Sequence, residues 1–221
     1  MKDVKGRINE IIRILREVYP ESRTALRFNS PLQILIATIL SAQCTDKKVN
    51  EITPALFKKY KTAADFASAD SKELEEQIRP TGFYKNKTKS IKKATQKIVE
   101  DYSGRVPDNM DELISLPGVA RKTANIVLSS AFKKAEGIAV DTHVKRLSHR
   151  LGLSHEKNPD KIEKVLMNSV PKKDWLDFNY LLVNHGRNIC QSKNPACSSC
   201  MLLHICPTGK GENGKEKDGH E

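Results

Sequence analysis

Four cysteines within seventeen residues constrain one segment of this chain more than any other feature of the sequence. Cys190, Cys197, Cys200 and Cys206 are spaced C-x6-C-x2-C-x5-C. Four thiolates on so short a segment can meet only if the backbone wraps around a bound group. A 4Fe-4S cluster and a tetrahedral zinc ion both suit four soft ligands. The spacing favours iron–sulfur, because only one pair forms the C-x2-C knuckle that zinc ribbons use twice.

The remainder of the chain is patterned almost entirely as helices. Apolar residues recur at spacings of three and four over residues 4–18, which predicts an amphipathic first helix. The sequence Ser-Pro-Leu-Gln at 30–33 carries a capping-box signature and opens a largely apolar helix that ends near Ala42. A further helix over 45–60 is expected to kink or break at Pro54. About ten helices and no convincing strand are predicted, so the fold class is all-α.

The charge balance narrows the choice of partners. Lys and Arg number 38 against 27 Asp and Glu, and the formal net charge is +11. Such a field attracts polyanions, so nucleic acid is the first candidate partner and an anionic membrane surface the second. The most apolar stretch, Ile34–Leu40, is far shorter than the ~20 residues that span a bilayer. The first helix also lacks the apolar core of a signal peptide.

We therefore expect an intracellular protein that is not secreted. A reducing compartment also suits a cysteine pattern that favours metal binding over disulfides. Residues 208–221 consist mostly of Gly, Lys, Glu and Asp and contain no large apolar residue. That composition predicts a disordered tail.

A tight turn at 116–120, Leu-Pro-Gly-Val-Ala, joins predicted helices over 108–115 and 120–132. This is a helix-hairpin-helix signature, in which the turn points backbone N–H groups and a helix N-terminus outward. Such a site suits a DNA phosphate that is contacted without regard to base sequence. The alternative is a simple connection between two packed helices, followed by the surface bases Arg121 and Lys122.

Lys122 and Asp141 are the candidate chemical groups. The Lys122 amine either contacts a phosphate or, if it is partly desolvated and has a lowered pKa, attacks carbon and forms a Schiff base. Asp141 is expected to cap a helix that begins at about Thr142. With two carboxylate oxygens it can also stabilise positive charge on a sugar or manage protons.

Taken together, these residues resemble the endonuclease III family of DNA glycosylases over about residues 5–207. The resemblance rests on an ordered set: LSAQCTD (40–46), TGFYKNK (81–87), LPGVARKTAN (116–125), VDTH (140–143), HGR (185–187) and the cysteine spacing. It implies a 4Fe-4S cluster held by the four cysteines. It also implies that the partner is duplex DNA containing damaged pyrimidines or abasic sites. The protein would be a monomer, and it would act in the cytoplasm on nucleoid DNA.

The resemblance implies two helical domains that flank a DNA-binding cleft. Residues 23–134 would form a six-helix domain that holds the helix-hairpin-helix motif at about 108–132. Residues 1–22 would join 135–207 in an iron–sulfur cluster domain. The implied activity is removal of oxidised pyrimidines by an N-glycosylase, followed by AP lyase cleavage 3′ to the abasic site. Lys122 would be the nucleophile at C1′, and Asp141 would assist it.

The resemblance also assigns DNA contacts. Gln43 would enter the gap left by the flipped nucleotide, Phe83 would act as an apolar wedge, and Lys193 in the cluster loop would reach a phosphate. The full set is Gln43, Gly82, Phe83, Lys87, Gly118, Ala120, Arg121, His143, Arg187 and Lys193. Ala120 replaces a glycine common in the family, Phe83 a frequent aliphatic residue, and Cys44 a usual alanine.

Two other functions compete with this interpretation. The first is a monofunctional glycosylase that acts on adenine mismatches or on thymine mismatches. An adenine-specific relative would carry a carboxylate in the helix before Gln43 and no lysine at the hairpin. The segment Pro31–Ala42 contains no Asp or Glu, and Lys122 is present. A non-catalytic helix-hairpin-helix DNA-binding protein would explain the charge, the hairpin and the cysteines. It would leave the pairing of Lys122 with Asp141 unexplained.

Overall fold

The computed structural model describes residues 4–211, and within that part of the chain every regular element is helical. The all-α prediction is confirmed. The helices are α1 Val4–Val18, α2 Pro31–Leu40, α3 Asp46–Lys59, α4 Ala63–Ser68, α5 Ser71–Ile78, α6 Tyr84–Tyr102, α7 Met110–Ser115, α8 Arg121–Val127, α9 Thr142–Arg150, α10 Pro159–Ser169 and α11 Trp175–Asn188. Single turns of 3-10 helix lie at Arg79–Thr81, Lys172–Asp174, Cys197–Ser199 and Leu203–Ile205, and a π-helical turn at Leu128–Phe132 extends α8. None of the described helices is long and apolar enough to cross a bilayer.

One compact unit runs from Thr24 to Glu136 and is built around α2. Ser30 begins this helix as predicted, since its hydroxyl accepts a hydrogen bond from the Gln33 N–H. Every residue of Ile34–Leu40 is buried, because α2 is apolar on most sides. Helices α3, α6 and α8 pack against it, and α4 and α5 pack on α6. The unit thus places the hairpin before α8 on the same core as the ends of α2.

Two features of this unit differ from the sequence-based prediction. The unit contains seven α-helices rather than six, because α4 was missed. The missed signal is a complete capping box, in which Thr62 and Asp65 each accept a hydrogen bond from the other's backbone N–H. Helix α3 also continues through Pro54. Pro54 is exposed, so water can reach the Asn50 carbonyl that loses its helical partner.

A second unit joins the N-terminal segment up to Arg23 to the chain from Gly137 onward. The apolar stripe of α1 is fully buried at Ile8, Ile11 and Leu15, as its periodicity predicts. It packs against α10 and α11, and α11 packs in turn on α9. The core is completed by Val144, Leu147, Ile162, Leu166, Phe178, Leu181 and Leu182. The cysteine segment follows α11 in this unit.

The predicted tail starts too early. Thr208 to Gly211 form turns, with the Thr208 N–H donating to the Arg150 carbonyl and the Lys210 N–H donating to the Cys206 carbonyl. These four residues are held because they close the end of the cysteine segment. The rest of the predicted tail, residues 212–221, lies outside the described residues.

Arg16 links α1 to the start of α11, and its removal provides a stability test. Its guanidinium lies 2.7 Å from an oxygen of Asp174, whose side chain is only 5% exposed, and 2.9 Å from Asp177. We expect Arg16→Ala to lower the free energy of unfolding by about 1–3 kcal/mol, because it leaves a buried carboxylate without its partner. Denaturant titration measures this loss.

The matched control is Arg13→Ala, on the same helix. Arg13 pairs with Glu17, and both side chains are more than half exposed. Such a pair contributes about 0.5 kcal/mol or less. Equal losses in the two variants would contradict the role assigned to Arg16.

Candidate nucleic-acid interface and cysteine site

The hairpin before α8 is a tight turn that requires glycine at Gly118. The Val119 N–H donates to the Leu116 carbonyl at 3.1 Å, and Gly118 has a φ of +82°. A Cβ built on Gly118 would lie 2.7 Å from the Ser90 Cβ of α6, so the turn also needs glycine for its close packing. No side chain caps the start of α8, which leaves backbone N–H groups for an anion. Ala120 has a φ of −90°, so alanine causes no strain there.

Lys122 is the second residue of α8, and its side chain is exposed. The free chain therefore does not itself supply the desolvation that the Schiff-base alternative for Lys122 included. Lys122 lies on the solvent side of the first turn, whereas Ala124 and Ile126 face the core. Any desolvation of the amine has to come from a bound molecule. Arg121, beside it, is half-buried.

Gln43 and Phe83 share an uncommon backbone conformation and one pocket. Their φ angles are +52° and +48°, which place both in the left-handed region, and the Phe83 side chain is 61% exposed. Such angles in residues other than glycine are rare and cluster at functional sites. The shared pocket has a volume of about 270 Å³ accessible to water and is lined by Thr38, Ile39, Ala42, Gln43, Phe83, Asn86, Lys87, Ser90, Gly118 and Thr123. Segments 40–46, 81–87 and 116–125 therefore meet at one place.

Gly82, which precedes Phe83, is exposed and also has a positive φ, +70°. Its N–H donates to the Arg79 carbonyl, which closes the 3-10 turn. The bend at Gly82 turns the chain so that Phe83 projects into solvent at the start of α6. Both predicted residues of this loop are thus placed at the surface.

Lys87 is buried, which corrects its predicted role as a DNA contact. The residue is 5% exposed, and its ammonium donates to the carbonyls of Leu40 at 2.7 Å and Thr81 at 2.9 Å. Burial lowers the pKa of this amine. The sequence contained the signal, since Lys87 lies at helical spacing from the buried residues Ile91 and Ala94.

Asp141 caps α9 and retains a second oxygen. Its Oδ1 accepts a hydrogen bond from the Val144 N–H at 2.8 Å, as expected for an N-cap. The side chain is half-buried. One carboxylate oxygen therefore fixes the helix, and the other is available for chemistry.

Arg146 organises the residues that follow Asp141 and was missed in the sequence. Its Nη2 lies 3.1 Å from His143 Nδ1 and donates to the carbonyls of Gly186 at 3.1 Å and Cys190 at 3.0 Å. An arginine can only donate, so His143 Nδ1 accepts and the imidazole hydrogen lies on Nε2. A Cβ on Gly186 would lie 2.8 Å from that Nδ1, which explains the glycine of the HGR segment.

The His143 imidazole has a lowered pKa. Burial is the main cause, the carboxylate of Asp141 acts in the opposite direction, and the charges of Arg146 and Arg187 lower the pKa further. Arg187 itself is exposed. The Nε2–H of His143 thus forms a donor beside the exposed guanidinium of Arg187.

The four predicted cysteines line one cavity, with a volume of about 30 Å³ accessible to water. All four thiols are free. Burial raises the pKa of the Cys200 and Cys206 thiols. In the described part of the chain, no three His, Cys, Asp or Glu side chains are close enough to hold a single metal ion. The thiols thus surround a space rather than a point.

Several polar groups support the cysteine loop. Arg150 Nη1 lies 3.4 Å from Cys190 Sγ, and the Gly209 N–H donates to Cys206 Sγ at 3.3 Å. Arg150 also donates to the carbonyls of Gln191 at 2.6 Å and Ser192 at 3.0 Å. These bonds fix the loop just before Lys193, whose side chain is exposed. Arg150 belongs to no sequence motif, so its role in supporting the cysteine loop was not predicted from the sequence.

Comparison with known proteins gives one consistent family. The model described as "HhH-GPD superfamily base excision DNA repair protein" matches residues 36–172. Endonuclease III of Synechocystis sp. (strain ATCC 27184 / PCC 6803 / Kazusa) is 50% identical over 210 residues, which are 95% of this chain and 96% of that protein.

Solved structures agree with this match. A non-covalent endonuclease III–DNA complex is 42% identical with a TM-score of 0.89, and the match covers 96% of this chain and 99% of that one. A trapped endonuclease III–DNA covalent intermediate is 41% identical, also with a TM-score of 0.89, and the match covers 95% and 98% of the two chains. The likeness therefore extends over nearly the whole of both chains.

Proposed function

We propose that this chain, which belongs to the endonuclease III family of HhH-GPD base excision DNA repair proteins, removes oxidised pyrimidines from duplex DNA and cuts the strand at the resulting abasic site. The observation that carries the proposal is Lys122 on the first turn of α8, directly after a hairpin with uncapped N–H groups. A phosphate bound there brings the sugar–phosphate backbone close to a primary amine. In a purely DNA-binding protein the amine would serve only as a further phosphate contact, and the pairing of Lys122 with Asp141 would remain unexplained.

The proposed reaction begins when the damaged nucleotide leaves the base stack, at a cost of a few kcal/mol that is smaller for a damaged base. The lone pair of the Lys122 Nζ attacks C1′, the nitrogen loses a proton, and the base departs with the electrons of its glycosidic bond. Ring opening gives an imine between Nζ and C1′. Loss of a C2′ proton then expels the 3′ phosphate by β-elimination, and water hydrolyses the imine.

Lys122 is exposed in the free chain, so its amine is accessible to the sugar of a bound duplex. DNA that covers the first turn of α8 excludes water from the reacting groups. We assign Asp141 to the proton transfers and to the positive charge that develops on the sugar. Its Oδ1 stays on the Val144 N–H and keeps the side chain oriented.

The remaining residues are proposed to contact the DNA backbone or to fill the space that the flipped nucleotide leaves. The hairpin N–H groups of Gly118 and Ala120, with Arg121, hold one phosphate, and the Nε2–H of His143 with Arg187 contacts another. Gln43 and Phe83 occupy the space that the flipped nucleotide vacates. Their shared pocket and their exposure support this assignment.

We propose that the four cysteines hold a 4Fe-4S cluster. A zinc ion needs four sulfurs about 2.3 Å from one point, whereas these thiols line a cavity, and N–H donors from Arg150 and Gly209 lie at the sulfurs. When bound, the cluster supplies a covalent cross-link that fixes loop 191–196. We further propose a monomer that acts in the cytoplasm on nucleoid DNA, since cysteines that serve as cluster ligands rather than in disulfides suit a reducing compartment.

Lys193 tests whether the cluster loop contacts DNA. We expect Lys193→Ala to weaken binding to all duplexes by a similar factor and to reduce the salt slope of log K by about one. Binding isotherms at several salt concentrations measure both effects. Lys161→Ala, an exposed lysine on α10, should leave the slope unchanged. If Lys193→Ala has the same salt slope as the wild-type protein, the cluster loop contacts no phosphate.

Borohydride trapping tests the proposed function. The full-length protein is mixed with a duplex that contains one oxidised pyrimidine, with a duplex that contains one abasic site, and with an undamaged duplex. Reduction of the imine should leave a covalent protein–DNA adduct on the first two duplexes only. Base release without an adduct would indicate a monofunctional glycosylase, and binding without either product a non-catalytic DNA-binding protein.

A further inference from the structure

The buried Lys87 connects two chain segments that are distant in the sequence. It lies on the first turn of α6, and its ammonium donates to Leu40, the last residue of α2, and to Thr81, the last residue of the 3-10 turn. The first of these contacts joins residues 47 positions apart. The Leu40 carbonyl belongs to the C-terminal turn of α2, where a positive charge is favourable.

Each of these segments leads into one of the left-handed residues of the pocket, Gln43 or Phe83. Gln43 follows Leu40 by three residues, and Phe83 follows Thr81 by two. Their φ angles of +52° and +48° cost free energy, so they persist only where the surrounding structure holds them. Hydrogen bonds to a charged donor are stronger than those between neutral groups. The Lys87 ammonium is therefore a charged hydrogen-bond donor that both strained segments share.

We propose that Lys87 is a positioning residue that fixes Gln43 and Phe83 relative to each other before DNA binds, so that the two side chains enter the duplex as one preformed unit. This inference rests on the proposed function. Both side chains line the same pocket, and Lys87 lies in its wall. A rigid pair loses little conformational entropy when it enters the stack, which favours base flipping. Lys87 itself touches neither the reacting sugar nor the base.

Lys92 provides a matched control. It lies on the same helix, is partly buried, and donates to the carbonyl of Ala69. It does not line the pocket, and the segment that it holds leads into α5. Replacement of either lysine by methionine keeps the side-chain length and removes only the charged donor.

The first measurement is hydrogen exchange in the free, full-length protein. Lys87→Met should accelerate exchange at least about tenfold in both segments 41–45 and 82–84, with no change at 69–71. Lys92→Met should accelerate exchange at 69–71 and leave exchange at 41–45 and 82–84 unchanged. Should Lys87→Met fail to fold, Lys87→Gln is used, since its amide can still donate to one carbonyl. Unchanged exchange at 41–45 and 82–84 in a folded Lys87 variant would overturn the proposal.

The second measurement separates base flipping from chemistry. In single-turnover assays, Lys87→Met should remove a paired oxidised pyrimidine about ten- to a hundredfold more slowly than wild type. Cleavage of a single-stranded oligonucleotide with one abasic site should change less than about twofold, because no gap has to be filled. Equal losses on both substrates would indicate a merely structural role and overturn the proposal. If the wild-type protein acts on neither substrate, it is the proposed function that fails.

Discussion

Lys122→Gln is expected to reduce strand cleavage at an abasic site by on the order of a thousandfold and to abolish the borohydride adduct. Glutamine keeps a polar side chain of similar reach but has no amine that can form an imine. The hairpin N–H groups do not change, so affinity for an abasic duplex should fall by less than about fivefold. Gel electrophoresis of trapped complexes and a binding isotherm on the same duplex measure the two properties.

The matched control for Lys122 is Lys164→Gln. Lys164 is an exposed lysine on α10 that belongs to no motif, so trapping and cleavage should equal those of wild type. If cleavage and trapping survive in Lys122→Gln, another amine forms the imine. Loss of binding together with cleavage would instead make Lys122 a phosphate contact.

Cys197→Ala is expected to remove the iron–sulfur cluster and destabilise the unit that contains it. Wild-type protein should be brown, with broad absorption near ~400 nm, and the variant should lose that absorption because one of four ligands is missing. Metal binding at such a site is coupled to folding. We expect the free energy of unfolding to fall by about 3 kcal/mol, which lowers Tm by roughly 6–12 °C.

Cys44 offers an internal control for the cluster. It is also a free cysteine, but it lies in the segment after α2 and lines no part of the cysteine cavity. Cys44→Ala should therefore keep the absorption and the iron content. A colourless wild-type protein that contains one zinc ion would contradict the cluster assignment outright.

Local sequence signals predicted most of the fold. Ser30 and Asp141 are the caps that their positions indicated, and the apolar spacing of α1 corresponds to its buried face. Pro and Gly at 117–118 do form a tight turn between α7 and α8. These features depend on residues within about four positions of each other, so a single sequence contains the information that specifies them.

The parts that escaped prediction depend on partners far along the chain. Lys87 looked like a surface base, yet its acceptor at Leu40 lies 47 residues away. Arg146 belongs to no motif, and its acceptor at Cys190 lies 44 residues away. The left-handed angles of Gln43 and Phe83 arise in segments held by such contacts. A sequence gives residue types and spacing, whereas these positions are decided by packing.

The route of the chain through its two units has a consequence for synthesis. Helix α1 emerges first, but its partners α10 and α11 come after the whole of Thr24–Glu136. Domains fold as their residues emerge, so the continuous unit can fold on the ribosome while the apolar stripe of α1 still lacks its core. Until α11 has been synthesised, the apolar stripe of α1 is exposed and can associate with other nascent chains. That stripe consists of Ile8, Ile11 and Leu15. Premature termination before α10 should therefore yield an aggregating fragment rather than a smaller working protein.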